Sequence, residues 1–198
     1  INFLKLNNLN CHSMGSYDVI EHIYDIDEFL KKNHLLSNEE ISIFHASAAN
    51  ENNPRINRML KKNHLIIEYE GRDPKPGRKV TDALRPLIEI RKDIIRSIEP
   101  NLDEDEILLL SKNTRGMIRE DIESALDSYI SNSIMPKPNS HPTNTCDPNT
   151  GNWYEHLMNP YELMKILESN GFKGSVMPGY YDSPNLLHIR LIKEFLNI

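Results

Sequence analysis

Between Cys11 and Phe44 the chain runs through strand, helix and strand signals in turn, and this order constrains the fold more than any other feature. The run from Cys11 to Tyr17 reads as a short strand, weakened by His12 and Gly15. Asp25-x-x-Glu28 has the form of a capping box ahead of Phe29 and Leu30, so a helix is expected to about Leu36. Ile41-Ser42-Ile43-Phe44 alternates β-branched and aromatic residues, as a strand does. Two strands separated by a helix default to a parallel pair joined by a right-handed crossover. An α/β fold follows. Ile1 to Leu4 is read as a further short strand.

Residues 46–58 are small, polar and turn-rich, and are expected to form a loop at the second strand's carboxyl end. A helical region of different character follows. Leu84, Leu87, Ile88, Ile94, Ile95 and Ile98 keep a 3.6 period, with Pro86 suited to a first turn. Asp103 opens a second helix through Leu110, and a third is expected over about Gly116 to Ile130, with Ile118, Ile122, Leu126 and Tyr129 on one face. From 136 to 152, four prolines and Gly151 exclude regular structure. Asn159 then caps a helix with Pro160 at its first position and Glu162 at its third, and Asn170-Gly171 ends it. Phe172 to Tyr181 reads as a strand broken near its end by Pro178-Gly179.

Length admits one domain, or one domain with a sizeable insertion: 198 residues can bury a core without disulfide or metal. Hydrophobic residues make up 38%, below the roughly 45–50% common in globular chains, which suggests polar loop and exposed helix. The 23 basic and 29 acidic residues leave a net charge of −6. Such a chain has no general attraction for phosphate backbones or anionic membranes, so neither nucleic acid nor membrane is an expected partner. No apolar run approaches the ~18–20 residues of a membrane span, and nothing at the start reads as a signal peptide, so a cytoplasmic location is expected. Cys11 and Cys146 are too few for a disulfide framework and lack zinc spacing. No feature points to an oligomeric state. The chain opens on Ile1 mid-pattern and closes on a helix-like stretch, and is expected to be part of a longer polypeptide.

The segment Ser16-Tyr17-Asp18-Val19-Ile20-Glu21-His22-Ile23-Tyr24-Asp25 resembles the "DVIEHI-D" segment of class I S-adenosylmethionine-dependent methyltransferases, which follows the fourth strand of their sheet. Leu30 to Phe44 fits that family's next helix and fifth strand. His141 through Gly151-Asn152-Trp153 to Leu157 resembles the loop before the last helix of one bacterial branch, and Asn170 to Tyr181 resembles its sixth strand. The resemblance implies a Rossmann-like methyltransferase sheet, incomplete at both ends, with a helical insertion. Residues 1–67 would be a partial core, 68–135 the insertion or lid, and 136–198 the loop, last helix and sixth strand. The family's glycine-rich loop and ribose-binding acid lie upstream of its "DVIEH" and have no counterpart among the 17 residues before Asp18. His12 stands where the family has Asp. The chain alone is therefore not expected to hold the cofactor.

The resemblance also implies the chemistry. S-adenosyl-L-methionine would deliver a methyl group to an O or N atom of a small-molecule acceptor. Ser16, Tyr17 and Asp18, just past the fourth strand, would face the methionine end of that cofactor. Glu21 and His22 are the catalytic candidates, His22 taking a proton from the acceptor. His45, Trp153 and His156 are candidates for binding the acceptor, Trp153 as a flat wall, although a ring packed against the sheet edge is the preferred reading for it. Asp18, Glu21 and His22, with His45, could instead hold a divalent ion, but packing and hydrogen bonding are preferred for them and no metal is assigned. Cys146 is not read as a nucleophile, and Arg72, Lys75, Arg78 and Lys79 read as a solvated basic loop. A non-catalytic scaffold retaining half of the fold is the first alternative. A metal-dependent hydrolase built on the eight scattered histidines is the second.

Overall fold

A computed structural model describes residues 12–33, 42–72 and 84–177. Over these residues the protein is mixed α/β: two parallel strands and six α-helices divided between two compact units, 1–58 with 157–198 and 59–156.

The first unit contains β1 (Ser13–Tyr17), a 3-10 turn (Ile20–His22), α1 (Ile26–Asn33) and β2 (Ser42–Ala46). The strands pair in parallel from Ser13 opposite Ser42 to Tyr17 opposite Ala46. Their side chains alternate. Met14, Ser16, Ile43 and His45 are half-buried, and the Phe29 ring of α1 lies 6.0 Å from that of His45. Tyr17 and Phe44, on the opposite face, are exposed. Glu28 N–H donates to Asp25 Oδ1 at 2.8 Å, the half of the capping box that starts α1.

Helix α6 (Pro160–Ser169) belongs to the same unit. Asn159 caps it by accepting from the Tyr161 and Glu162 N–H groups, and its amide donates to Glu51 at 2.7 Å. Ala49 and Glu51 hold Met158 between them by backbone bonds. At the far end Gly171 takes φ +84°, its N–H bonds Glu168 C=O, and Phe172 N–H bonds Leu167 C=O, which is a Schellman closure. That closure corrects the strand expected from Phe172. Its N–H serves the helix end rather than a ladder, and residues 172–177 form no strand. Residues 178–181 of that expectation, Ile1 to Leu4, and the helix beyond Asn33 lie outside the described residues.

A second correction concerns 46–58. The loop stops at Asn53, and α2 (Pro54–Tyr69) begins there. Asn53 Oδ1 accepts from the Arg55 and Ile56 N–H groups at 3.1 and 3.2 Å, with Pro54 at the first helical position. The buried positions of α2 are Leu60, His64, Ile67 and Glu68. Two of these four are polar, so no apolar stripe marks the helix.

The second unit packs α3 (Leu87–Ile98) against α4 (Glu104–Asn113) and α5 (Arg119–Asn132). Ile94, Ile95, Ile107, Leu110, Ile122 and Leu126 form its apolar core. Asp103 and Glu106 complete a full capping box on α4. Helix α5 begins three residues later than the sequence suggests, because Gly116 has φ +84° and a Cβ there would meet Asn144 C=O at 2.7 Å. Beside the core lies a buried charge pair. Glu68 of α2 binds Arg91 of α3, both side chains essentially inaccessible, and Arg91 Nε donates to Ser111 C=O at 2.9 Å. Arg115 approaches the same carboxylate at 3.7 Å.

Truncating Leu126, fully buried in this core, to alanine should cost about 2–5 kcal/mol in urea unfolding. Glu68→Gln should cost a similar amount, about 3–5 kcal/mol, because it strands a buried guanidinium. An unchanged unfolding midpoint for either variant would contradict this packing.

Candidate functional site

Parallel pairing brings the carboxyl ends of β1 and β2 to one edge, and six of the eight sequence-selected side chains come from or next to that edge. Asp18, immediately after β1, adopts φ +50°, a conformation that Asp tolerates better than most residues. Its N–H extends the pairing by one bond to Ala46 C=O at 2.8 Å, and its Oδ1 accepts from Ala48 N–H at 3.3 Å. The carboxylate thus ties the β1 turn to the β2 turn.

Ser16 and His45 are register partners, and Ser16 Oγ lies 2.5 Å from His45 Nδ1. The opposite ring atom, His45 Nε2, is buried and has no partner among the described residues. Burial lowers the imidazole pKa, which favours the neutral ring. Ser16 and His45 were selected for different partners, cofactor and acceptor, and the structure bonds them to each other.

Glu21, in the 3-10 turn, is only 3% exposed. Burial raises its pKa; its own N–H and the Ser47 hydroxyl oppose this, Asp18 adds to it, and His22 opposes it weakly. Glu21 Oε2 is buried without a partner among the described residues. A buried acceptor left unfilled costs on the order of 1–3 kcal/mol, more when charged, so this atom has unused binding capacity. Ser47, which holds Glu21, was not selected from sequence; its place one residue past β2 is the signal that could have found it. His22 is half-buried, its N–H bonded to Val19 C=O. Tyr17 is 74% exposed on the opposite sheet face.

Trp153 and His156 belong to the second unit. Trp153 is buried, its ring 4.7 Å from that of His156, which stacks on His141 at 4.0 Å. His156 Nδ1 lies 2.9 Å from Thr143 C=O and so carries the proton. Burial, with His141 nearby, lowers the His156 pKa to about 4. These contacts pack the 136–152 segment and the residues after it, and Trp153 is no open wall.

A polar cluster invisible to periodicity sits beside them. Thr145 bridges it, its N–H donating to His64 Nδ1 at 3.3 Å and its Oγ1 accepting from Arg115 at 2.8 Å. Burial drives the His64 pKa down to about 4; backbone carbonyls of Tyr154 and Glu155 oppose this, and Arg115 and His156 add to it. Cys146, also buried, has its thiol pushed up to about 12, chiefly by burial. Among the described residues, no three His, Cys, Asp or Glu side chains converge as metal ligands would. The basic residues Lys75, Arg78 and Lys79 lie outside the described residues.

Compared with protein-family models, curated proteins and solved structures, the chain matches none.

Two outcomes follow from the buried groups. Cys146 should resist iodoacetamide at neutral pH in the native protein and react once denatured, read by peptide mass spectrometry. Because His64 has a lower pKa folded than unfolded, the unfolded chain binds more protons between the two values. Its contribution is whole above pH 6.5 and is lost as the pH falls from 6.5 toward 4. At roughly 1.4 kcal/mol per pH unit, the loss is about 3 kcal/mol. His64→Gln should remove that part of the slope in urea unfolding curves across this range.

Proposed function

We propose that the β1–α1–β2 unit is part of a Rossmann-like sheet and that the protein transfers a methyl group from S-adenosyl-L-methionine to an O or N atom of a small molecule. The observation that carries this reading is the edge where the parallel strands end: Asp18 inverts there, and Glu21 Oε2 and His45 Nε2 are buried there with unfilled bonding capacity. In open α/β sheets, ligands bind outside the carboxyl ends of the strands. The resemblance of Ser16 to Asp25 to a methyltransferase segment supports the choice of ligand.

The residues suit the assignment. Ser16 and Asp18 offer polar atoms for the methionine end of the cofactor, with Tyr17 alongside. The cofactor supplies an already activated methyl group, so the protein's task is positioning, which can be worth about 7–11 kcal/mol. Glu21 Oε2 and a neutral His45 Nε2 are the atoms able to take a proton from the acceptor. His22 acts through Glu21, favouring its ionised form.

Calorimetric titration of S-adenosylhomocysteine into the full natural polypeptide carrying these residues tests the reading. Saturable binding near one per chain is expected, weakened at least about tenfold by Asp18→Ala, the loss expected of a charge-assisted hydrogen bond. Absence of a binding isotherm would overturn it and favour the non-catalytic scaffold.

A further inference from the structure

Residues 145–154 of the second unit form a short hairpin. Tyr154 N–H donates to Thr145 C=O at 3.0 Å, Cys146 and Trp153 pair as antiparallel neighbours, and Asp147 N–H donates to Asn152 C=O at 3.0 Å. The tip is tied to the start of α5, where Arg119 N–H donates to Pro148 C=O at 2.9 Å. The root rests on α2 through His64, whose Nδ1 accepts from Thr145 N–H at 3.3 Å. An imidazole nitrogen accepts only while it carries no proton. A proton on Nδ1 would set two donors against each other and place a cation where the side chain is 1% exposed. Burial opposes that charge most; Arg115, from the turn after α4, and His156, just past the hairpin, add to it. The Tyr154 and Glu155 carbonyls favour the charge, but less than burial opposes it. Glu68, one turn along α2, already binds Arg91 and has Arg115 3.7 Å away. Cys146 and Tyr154 hold their protons more tightly than usual, so neither changes charge in acid.

We propose that His64 is an acid latch: protonation of Nδ1 releases the root of the 145–154 hairpin from α2 while α3, α4 and α5 stay packed. The hairpin's own bonds survive that movement, because Thr145–Tyr154 and Asp147–Asn152 both lie within it, and Arg119 holds its tip as a pivot. Helix α2 stays in place through Glu68 on Arg91. The apolar core of α3 to α5 includes no residue of the hairpin. Opening uncovers Cys146 and Trp153, both buried while the latch is closed. The latch is closed above pH 6.5, the ordinary imidazole value, and yields as the pH falls toward 4. It does not depend on the methyl-transfer reading.

Labelling of Cys146 by 4,4′-dithiodipyridine, a disulfide that reacts with thiols in acid, reads the opening in the full natural polypeptide. Peptide mass spectrometry follows the label, the denatured chain corrects for the reagent's own pH dependence, and hydrogen exchange follows α3 to α5. The native labelling rate relative to the denatured chain should rise at least about tenfold between pH 6.5 and about pH 5, with α3 to α5 still protected. His64→Asn offers Thr145 N–H an amide oxygen that does not titrate, and should abolish the rise. Should this variant fail to fold, the ¹⁵N shift of His64 Nδ1 in the unaltered protein should change over the same pH range as the labelling. Four results would each overturn the latch: a flat labelling profile, loss of protection in α3 to α5 together with labelling, a rise that persists in folded His64→Asn, or a His64 shift that titrates apart from the labelling.

Discussion

Two parallel strands cannot be joined by a tight turn, so the chain must leave the end of β1, cross back and enter β2 from the same side. That requirement places Asp18 and Ser47 at one edge although 28 residues separate them in the chain. It also makes Ser16 and His45 neighbours by register rather than by sequence. The polar contacts across the strand ends depend on this pairing. Asp18 bonds Ala46 and Ala48 across it, and Glu21 reaches Ser47 over it. A slip of one residue would turn His45 to the face that carries Tyr17 and Phe44.

Elements with strong local chemistry were legible. The Asp25, Asp103 and Asn159 starts each bring an oxygen to free N–H groups within a few residues, and all three cap helices here. The apolar spacing of α3 to α5 was equally plain, because their buried positions, Arg91 and Ser111 aside, are Ile and Leu. Helix α2 was not legible. His64 and Glu68 occupy inward positions, so hydropathy does not separate its faces, and Asn53-Pro54 serves turns as readily as helix starts. The final strand failed for a related reason. A strand is defined by a partner, and the run from Phe172 says nothing about where one would lie.

The site was legible at the level of segments but not of pairings. Ser16, Asp18, Glu21 and His45 could be selected because they flank strand ends. That Ser16 would bond His45, or that Ser47 would hold Glu21, depends on register and on a turn geometry set by one residue with positive φ. Trp153 admitted two readings from sequence, a wall for the acceptor and a packed ring. Its position after a proline-rich segment does not separate them, and in the structure the ring packs against His156.

The polar inward face of α2 also sets its lengthwise position. Apolar side chains tolerate sliding, since one methyl group replaces another at small loss. Glu68 binds the Arg91 guanidinium of α3, and His64 Nδ1 accepts from the Thr145 N–H. Moving α2 along its axis by one turn, about 5.4 Å, would separate both pairs at once and leave each group buried and alone. The two contacts together act as an index mark that admits one setting of the helix and penalises its neighbours.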